Sequence, residues 1–266
     1  MRLRIDHRTT LSYDQQISEA YTEMRLKPMD AGGQRCLSFN LVTEPRGEIM
    51  QYLERRRNDV RHFDVLAPHT RLMVHSTSEV LTPIKLIDEE HELSPLDQFD
   101  FLMPSTYTPE DAKTRRFATT FVQDDARDTV FALMHAVYTH LKYVPGATDV
   151  RTKADDVLTL GQGVCQDFAH VMIASCRCQG IPARYVSGYL NDPASDGRNG
   201  ASHAWMDAFI PGSGWISLDP THNCEQTENY VRLAVGRDYS DVPPTRGVFK
   251  GKAKETLDVQ VSVHPL

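Results

Sequence analysis

The sequence predicts an α+β protein, with an N-terminal antiparallel β sandwich or barrel followed by a core of helices packed on an antiparallel sheet. Two observations lead to this fold class. Short runs of alternating apolar and polar residues fill about the first hundred positions, and helical periodicity followed by strand-like runs fills the second half. A segment with four prolines, residues 82–110, separates the two patterns. We therefore expect two domains, residues 1–110 and 111–266.

The alternating runs of the first domain have the two-residue period of strands that bury one face. Turn-forming sequences interrupt these runs, among them Lys27-Pro28-Met29-Asp30 and Gly32-Gly33. The predicted strands cover residues 3–7, 21–26, 37–42, 60–66 and 71–81.

The second domain begins with helical patterns. Between residues 124 and 141, apolar side chains recur at steps of three and four, which is typical of an amphipathic helix. Residues 165–179 repeat this pattern, and Gly180 followed by Pro182 predicts where the second helix ends. Three strand-like runs follow, over residues 183–190, 202–210 and 215–218.

Charge and hydropathy exclude several classes of partner. The 36 acidic and 29 basic residues give a net charge of -7, and no block of Lys and Arg is suited to follow a nucleic-acid backbone. The first residues, Met1–Thr10, lack the apolar segment of a secretory signal, and no run reaches the roughly 18 apolar residues of a membrane span. We expect no nucleic-acid partner, no membrane association and, by default, a cytoplasmic location.

An odd number of cysteines indicates that at least one thiol is free. The five are Cys36, Cys165, Cys176, Cys178 and Cys224. Cys176 and Cys178 stand two apart on a predicted helix, so they point to different faces, and no further Cys or His pair lies at zinc-site spacing. This geometry disfavours a redox or metal role for the pair, and we expect neither a metal nor a cofactor.

Cys165 follows two glycines, in Gly161-Gln162-Gly163-Val164-Cys165, where the second helix is predicted to begin. The glycines permit a sharp turn, and the unpaired amides at a helix N-terminus stabilise a thiolate. The same amides can stabilise the oxyanion that forms when a thiolate attacks a carbonyl carbon. A small, inert cysteine in a helix turn is the alternative interpretation.

A thiol nucleophile also requires a base and a carboxylate that orients the base. His203 begins one predicted strand, and Asp219 ends the next strand after the turn at residues 211–214. Antiparallel pairing would make these two residues cross-strand neighbours. The carboxylate could then accept a hydrogen bond from one ring nitrogen while the other faces the sulfur of Cys165.

Four sequence blocks resemble the catalytic core of the bacterial transglutaminase-like superfamily. In order they are G-Q-G-V-C-Q-D-F-A-H, G-I-P-A-R-Y-V-S-G-Y, S-H-A-W and W-I-S-L-D-P-T-H-N, within about residues 120–225. The N-terminal part, with Tyr13 and Leu26-Lys27-Pro28, resembles the small β domain that often precedes this core. The resemblance implies a papain-like core with the catalytic triad Cys165, His203 and Asp219.

Such a triad implies acyl transfer on peptide or side-chain amides through a thioester, with a peptide or protein as substrate. Transfer to water would make the enzyme a cysteine protease or amidase, and transfer to an amine would make it a transglutaminase. We expect hydrolysis, because the sequence contains no Asp-rich calcium loop and the expected location is intracellular. Transglutaminase crosslinking is the alternative. A non-enzymatic binding module on the same fold is a second alternative, which the intact triad residues disfavour.

Other residues have less specific roles. Gln162 could donate to the oxyanion, as a Gln does in papain-like enzymes, or serve only in the loop. His170 lies five residues after the nucleophile and should point away from it. Trp205 and Trp215 are expected in the core or the wall of a cleft. Arg184 could bind a carboxylate of a ligand or pair with an acidic neighbour.

Overall fold

The computed structural model describes residues 1–86, 92–192 and 202–266. In the strands of its N-terminal part, buried and exposed side chains alternate. In the first strand every second side chain is buried from Leu3 to Tyr13. This period places one face of the strand in a core. The strands of this part are β1 (Arg2–Ile17), β2 (Glu19–Met24), β3 (Arg35–Glu44), β4 (Met50–Leu53), β5 (Asp59–Val65) and β6 (His69–Leu81).

The second half contains the helices and a further set of strands. The helices are α1 (Pro95–Leu102), α2 (Ala112–Thr119), α3 (Ala126–His140), α4 (Ala154–Leu160) and α5 (Cys165–Cys178), with a 3-10 turn at Tyr239–Asp241. The strands are β7 (Lys142–Tyr143), β8 (Gln162–Gly163), β9 (Ala183–Leu190), β10 (Ser202–Ile210), β11 (Gly214–Asp219), β12 (Cys224–Glu225), β13 (Tyr230–Gly236), β14 (Thr245–Lys250) and β15 (Glu255–Pro265). Among the described residues, each helix is too short or too polar to traverse a lipid bilayer.

Two four-stranded antiparallel sheets form the N-terminal β domain. Their strand orders are β15-β1-β6-β3 and β14-β2-β5-β4. Apolar side chains from both sheets form one buried cluster between them, as expected for a sandwich or barrel. The buried members of this cluster are Leu11, Tyr13, Ile17, Ala20, Met24, Leu26, Phe63, Val65, Leu72 and Val74.

The last two strands of the chain return to this N-terminal domain. β15 pairs with β1 over a long register, from Leu3 opposite Pro265 to Tyr13 opposite Glu255. β14 pairs with β2 in the second sheet. The expected boundary near residue 110 assigns both strands to the second domain, whereas their hydrogen-bond partners lie in the first.

A third antiparallel sheet, in the order β12-β11-β10-β9-β13, forms the centre of the second half. Helix α5 packs against β9 and β10, and α2, α3 and α4 pack around α5. Because neighbours surround it, every residue of α5 from Asp167 to Arg177 is buried. This buried helix holds its first residue, Cys165, in a fixed position beside the sheet.

The N-terminal domain also covers parts of the central sheet, and on the face opposite the helices Met29 packs with Trp205 and Val235. Leu3, Ile5 and Val80 from the first sheet form a buried cluster with Val231 and Leu233 of β13. Because the helices and the N-terminal domain both cover this sheet, all residues of β11 and β13 are buried. Strands buried on both faces have nearly continuous apolar sequences, as these do.

The predicted fold class is confirmed, with an antiparallel N-terminal domain and a core of helices on an antiparallel sheet. The strands predicted over residues 183–190 and 202–210 coincide with β9 and β10. The segment 82–110, expected to connect the two parts, contains α1, and its residues 87–91 lie outside the described residues.

Candidate active site

Helix α5 begins at Cys165, directly after the short strand β8. β8 pairs in parallel with β7, and the amide of Val144 donates to the carbonyl of Gly163 at 2.9 Å. At the start of a helix the first amides have no intrahelical acceptor, so those of Cys165 and Gln166 are available to an anion. The Cys165 side chain is partly exposed. The structure therefore places a reachable thiol at a helix N-terminus, as the sequence predicted.

Asp167 fixes the loop in front of this thiol. Its Oδ2 accepts hydrogen bonds from the amide of Val164 at 2.7 Å and from the hydroxyl of Thr148 at 2.6 Å. Burial raises the pKa of Asp167, and these two hydrogen bonds act in the opposite direction. A Cβ atom at Gly163 would lie 2.5 Å from Asp167 Oδ2. Glycine is therefore required at position 163 for the carboxylate to pack against the loop.

His203 and Asp219 are brought together by the pairing of β10 and β11. Met206 lies opposite Leu218, which places Asp219 just beyond the last paired residue and on a diagonal to His203. His203 Nε2 donates to Asp219 Oδ2 at 2.7 Å, and both side chains are buried. This is the cross-strand contact that the sequence predicted.

The Cys165 side chain is close enough to the His203 ring to be among the groups that raise the pKa of His203. Because Nε2 is bound to Asp219, Nδ1 is the nitrogen left for the thiol. Burial lowers the pKa of His203, but its interactions with Asp219 and Cys165 outweigh burial and raise it to about 10. The imidazolium is thus the favoured form at neutral pH, and it can form an ion pair with a thiolate.

Asp219 accepts hydrogen bonds from other groups in addition to His203. Its Oδ2 also accepts from His222 Nδ1 at 2.6 Å and from the Tyr230 hydroxyl at 2.8 Å, and its Oδ1 accepts from the amide of Thr221 at 2.8 Å. Burial raises the pKa of Asp219, but the hydrogen bonds from His203 and His222 hold it well below its usual range. The carboxylate is therefore ionised although no part of it is exposed.

Sequence reasoning gave His222 and Tyr230 no role. The signal for His222 was present in Asp219-Pro220-Thr221-His222, because a tight turn can return the side chain at position i+3 to position i. Tyr230 lies at the start of β13, and no local pattern connects it with Asp219.

His203, Asp219 and His222 also form a set of possible metal ligands. One ligand atom from each lies within 4.8 Å of the other two. Two imidazoles and a carboxylate are donors that zinc and related divalent ions accept. In the structure, both imidazoles donate to the same carboxylate oxygen.

The remaining predicted residues lie around this site or away from it. Gln162 lies in β8, and in the described part of the chain no hydrogen bond joins its side chain to the triad. His170 is fully buried and stacks on Tyr107 with ring centroids 5.4 Å apart. Its Nε2 accepts from the amide of Tyr239 at 3.2 Å, so it points away from the thiol as expected. Cys176 is fully buried.

Both tryptophans are buried, as expected for core or wall residues. The Trp205 ring stacks on His203 with centroids 6.1 Å apart, and its Nε1 donates to Ser217 Oγ at 2.9 Å. Arg184 lies over the ring of Trp215, and its Nε donates to Asp207 at 2.7 Å. Arg184 thus has the acidic neighbour that one of the two sequence interpretations predicted.

Comparisons with known proteins match both parts of the chain. Residues 113–220 match the family model described as "Transglutaminase-like superfamily", and residues 3–81 match "Bacterial transglutaminase-like N-terminal region". An uncharacterized protein of Mycobacterium leprae is 36% identical, with 98% of this chain and 98% of the relative covered. An uncharacterized protein of Mycobacterium tuberculosis is 31% identical, with 99% and 93% covered.

Two further relatives have names that refer to an activity. The crystal structure of "a Putative Cysteine Protease from Cytophaga hutchinsonii" is 25% identical and superposes with a TM-score of 0.81, covering 100% of this chain and 91% of that one. A "Protein-glutamine gamma-glutamyltransferase" of Pseudomonas aeruginosa is 31% identical over 102 residues, which cover 35% of this chain and 15% of the relative. By fold, by the two family matches and by its relatives, this chain belongs to the transglutaminase-like superfamily.

Proposed function

We propose that this protein is a cysteine-dependent enzyme that hydrolyses peptide or side-chain amides through a thioester on Cys165. One observation carries the proposal. The buried His203 ring donates to the buried carboxylate of Asp219 at 2.7 Å, and Cys165 is close enough to the same ring to help raise its pKa. This grouping of a nucleophile, a base and an orienting carboxylate supports the proposal, because nucleophilic catalysis requires these three groups together.

In the acylation half-reaction, the Cys165 thiolate attacks the amide carbon and a C–S bond forms. The carbonyl oxygen becomes an oxyanion, which the amides at the start of α5 can stabilise. The C–N bond then breaks, the imidazolium of His203 gives its Nδ1 proton to the departing nitrogen, and the amine or ammonia leaves. Asp219 stabilises the charged ring before this step and holds its orientation throughout.

In the deacylation half-reaction, neutral His203 removes a proton from water, and the resulting hydroxide attacks the thioester carbon. The C–S bond breaks, a carboxylic acid is released, and the thiolate and imidazolium are restored. If an amine attacks instead of water, the product is a new amide. The same site would then perform a transglutaminase reaction.

Transamidation is the second candidate function, and a specific observation favours it. The protein-glutamine gamma-glutamyltransferase of Pseudomonas aeruginosa matches 102 residues of this chain. Hydrolysis is supported by the similarity along the whole chain to the Cytophaga hutchinsonii structure, which is named "a Putative Cysteine Protease". The acceptor that resolves the thioester distinguishes the two functions.

The test uses a peptide library that contains internal peptide bonds, Gln and Asn, in water enriched in oxygen-18, with and without an added primary amine. Mass spectrometry should detect an acyl adduct on the peptide that contains Cys165 and one heavy oxygen in each acid product. If products carry the amine and little heavy oxygen, the enzyme is a transglutaminase. If no library member acylates Cys165, the proposal of an amide-cleaving enzyme is wrong.

Matched variants assign the chemistry to one thiol. Cys165→Ser should abolish turnover and leave the fold intact, whereas Cys178→Ser, at the other end of the same helix, should keep full turnover. Iodoacetamide at about pH 6 should label Cys165 once, and His203→Ala should slow this labelling because the ion pair is lost. Full turnover by Cys165→Ser, or labelling that ignores His203, would contradict the assigned roles.

A further inference from the structure

We infer that His222 is a positioning residue of this site, whose Nδ1–H holds the Asp219 carboxylate in the orientation that meets His203. This inference rests on the proposed function. The contact between His222 Nδ1 and Asp219 Oδ2 is 2.6 Å long, as short as the 2.7 Å contact between His203 and the same oxygen. The centroids of the two imidazole rings lie 5.3 Å apart, and both rings donate to the same carboxylate oxygen.

The hydrogen-bond count at Asp219 explains why a second imidazole matters. Oδ2 accepts from His203, His222 and Tyr230, while Oδ1 accepts from the backbone of the following turn. A carboxylate that is fully buried needs such donors to remain charged. Each donor also restricts the rotation of the carboxylate, and this restriction keeps Oδ2 pointed at His203.

The turn after Asp219 sets the direction of the His222 side chain. The amide of Thr221 donates to Asp219 Oδ1 at 2.8 Å, and Asn223 has a left-handed φ of 53°. The Asn223 side-chain amide contacts His135 Nδ1 at 3.2 Å, which attaches the turn to helix α3. His222 therefore reaches the carboxylate from a constrained backbone.

His222 also lies between Asp219 and solvent. Its side chain is 46% exposed, whereas that of Asp219 is 0% exposed. The residue could therefore act in two ways, by donating a hydrogen bond or by excluding water with its ring. We assign the effect of His222 on Asp219 to the donated hydrogen bond. Substitutions can separate this action from the exclusion of water.

Two variants make this separation. In His222→Asn, the side-chain amide can replace the Nδ1–H donor, but part of the ring volume is lost. In His222→Leu, an apolar group of similar extent remains, but the donor is lost. The control is His264→Leu, the same substitution at an exposed residue of β15.

We expect His222→Leu to lower kcat by about 10-fold to 100-fold at an unchanged KM, a range seen when a supporting hydrogen-bond partner is removed. His222→Asn and His264→Leu should stay within about threefold of the wild type, since each retains the donor to Asp219. Full activity in His222→Leu, or equal losses in the Leu and Asn variants, would overturn the inference.

A second measurement does not depend on any amide substrate. The rate of Cys165 alkylation is followed as a function of pH, because it reports the fraction of the thiolate–imidazolium pair. In His222→Leu the pH at which the thiolate–imidazolium pair is lost on the alkaline side should be lower than in the wild type. Loss of a residue that only supports the fold would leave the profile unchanged. An unchanged profile would overturn the inference even if turnover fell. If no amide is cleaved but the profile moves, the proposed reaction is wrong and the role of His222 stands.

Discussion

Gly163→Ala should break the hydrogen bonds by which Asp167 of α5 holds the loop before that helix. A Cβ atom at this position would lie 2.5 Å from Asp167 Oδ2 and 2.7 Å from Asp167 Cβ. Contacts this short are not tolerated, so the Asp167 side chain has to move. The backbone around residue 163 cannot move away easily, because β8 is paired with β7.

The displaced carboxylate loses its hydrogen bonds from the amide of Val164 and the hydroxyl of Thr148. Loss of a helix-capping hydrogen bond costs about 1 kcal/mol, and an unsatisfied buried polar group costs about 1–3 kcal/mol. We therefore expect the free energy of unfolding to fall by roughly 3 kcal/mol. At about 2–4 °C per kcal/mol, the Tm should drop by about 6–12 °C.

Chemical denaturation measures the loss of stability. The rate of Cys165 alkylation per folded molecule measures the effect on the thiol. The rate should fall, because the cysteine is the first residue of the helix that Asp167 caps. The matched control is Gly212→Ala, at a position with a φ of 77° and no atom within 4 Å of an added Cβ. It should lose about 1–2 kcal/mol through the left-handed backbone alone, with alkylation unchanged.

If Gly163→Ala unfolds with the wild-type free energy and alkylates at the wild-type rate, Asp167 does not fix this loop. If the alanine variant loses stability but keeps its alkylation rate, the cap supports the fold and has no influence on the thiol.

Three further predictions concern the triad, acid stability and metals. Asp219→Asn should lower kcat by up to roughly 10⁴-fold, because an amide facing His203 Nε2 favours the wrong tautomer; steady-state kinetics check this, and full activity would exclude the orienting role. Burial lowers the pKa of His7 to about 4, so below pH 6.5 the unfolded chain binds more protons there than the folded chain. The free energy of unfolding should therefore fall by about 3 kcal/mol as the pH drops from 6.5 to 4, and urea unfolding should show a smaller fall for His7→Gln. Zinc should inhibit reversibly by displacing the two protons that His203 and His222 donate to Asp219. An excess of chelator should restore the starting rate, and inhibition that persists after chelation would contradict this prediction.

Local patterns were sufficient to predict much of the site. The bounds of β9 and β10 follow from runs of strand-forming residues between Gly and Pro breaks. The start of α5 follows from its helical period and the glycines before Cys165. The contact between His203 and Asp219 follows from an antiparallel pair with a short turn, because such a turn fixes the register.

Non-local pairing could not be predicted in this way. β15 pairs with β1 at the opposite end of the chain, and nothing in the period of either strand specifies its partner. The roles of His222 and Tyr230 depend on the same kind of information. The role of His222 requires the left-handed backbone of Asn223. The role of Tyr230 requires β13 to be the edge strand beside β9.

Contacts of β13 with the N-terminal domain connect the site to that domain. Arg232 in β13 is buried and bonds to Asp207 at 2.6 Å and to Ser217 Oγ at 3.0 Å. Its backbone amide is held by Gln34 of the N-terminal domain at 2.8 Å. Ser217 in turn accepts from Trp205, the ring that stacks on the catalytic candidate His203.

This arrangement places charged groups on a sheet face that the N-terminal domain shields from water. Without that domain, Met29 would no longer cover Trp205 and Val235, and solvent would reach Arg232 and Asp207. A buried charge pair depends on both its partners and its surroundings, so exposure would loosen the layer under Trp205. We therefore expect the N-terminal β domain to help support the His203 ring, even though it contributes no residue to the proposed triad.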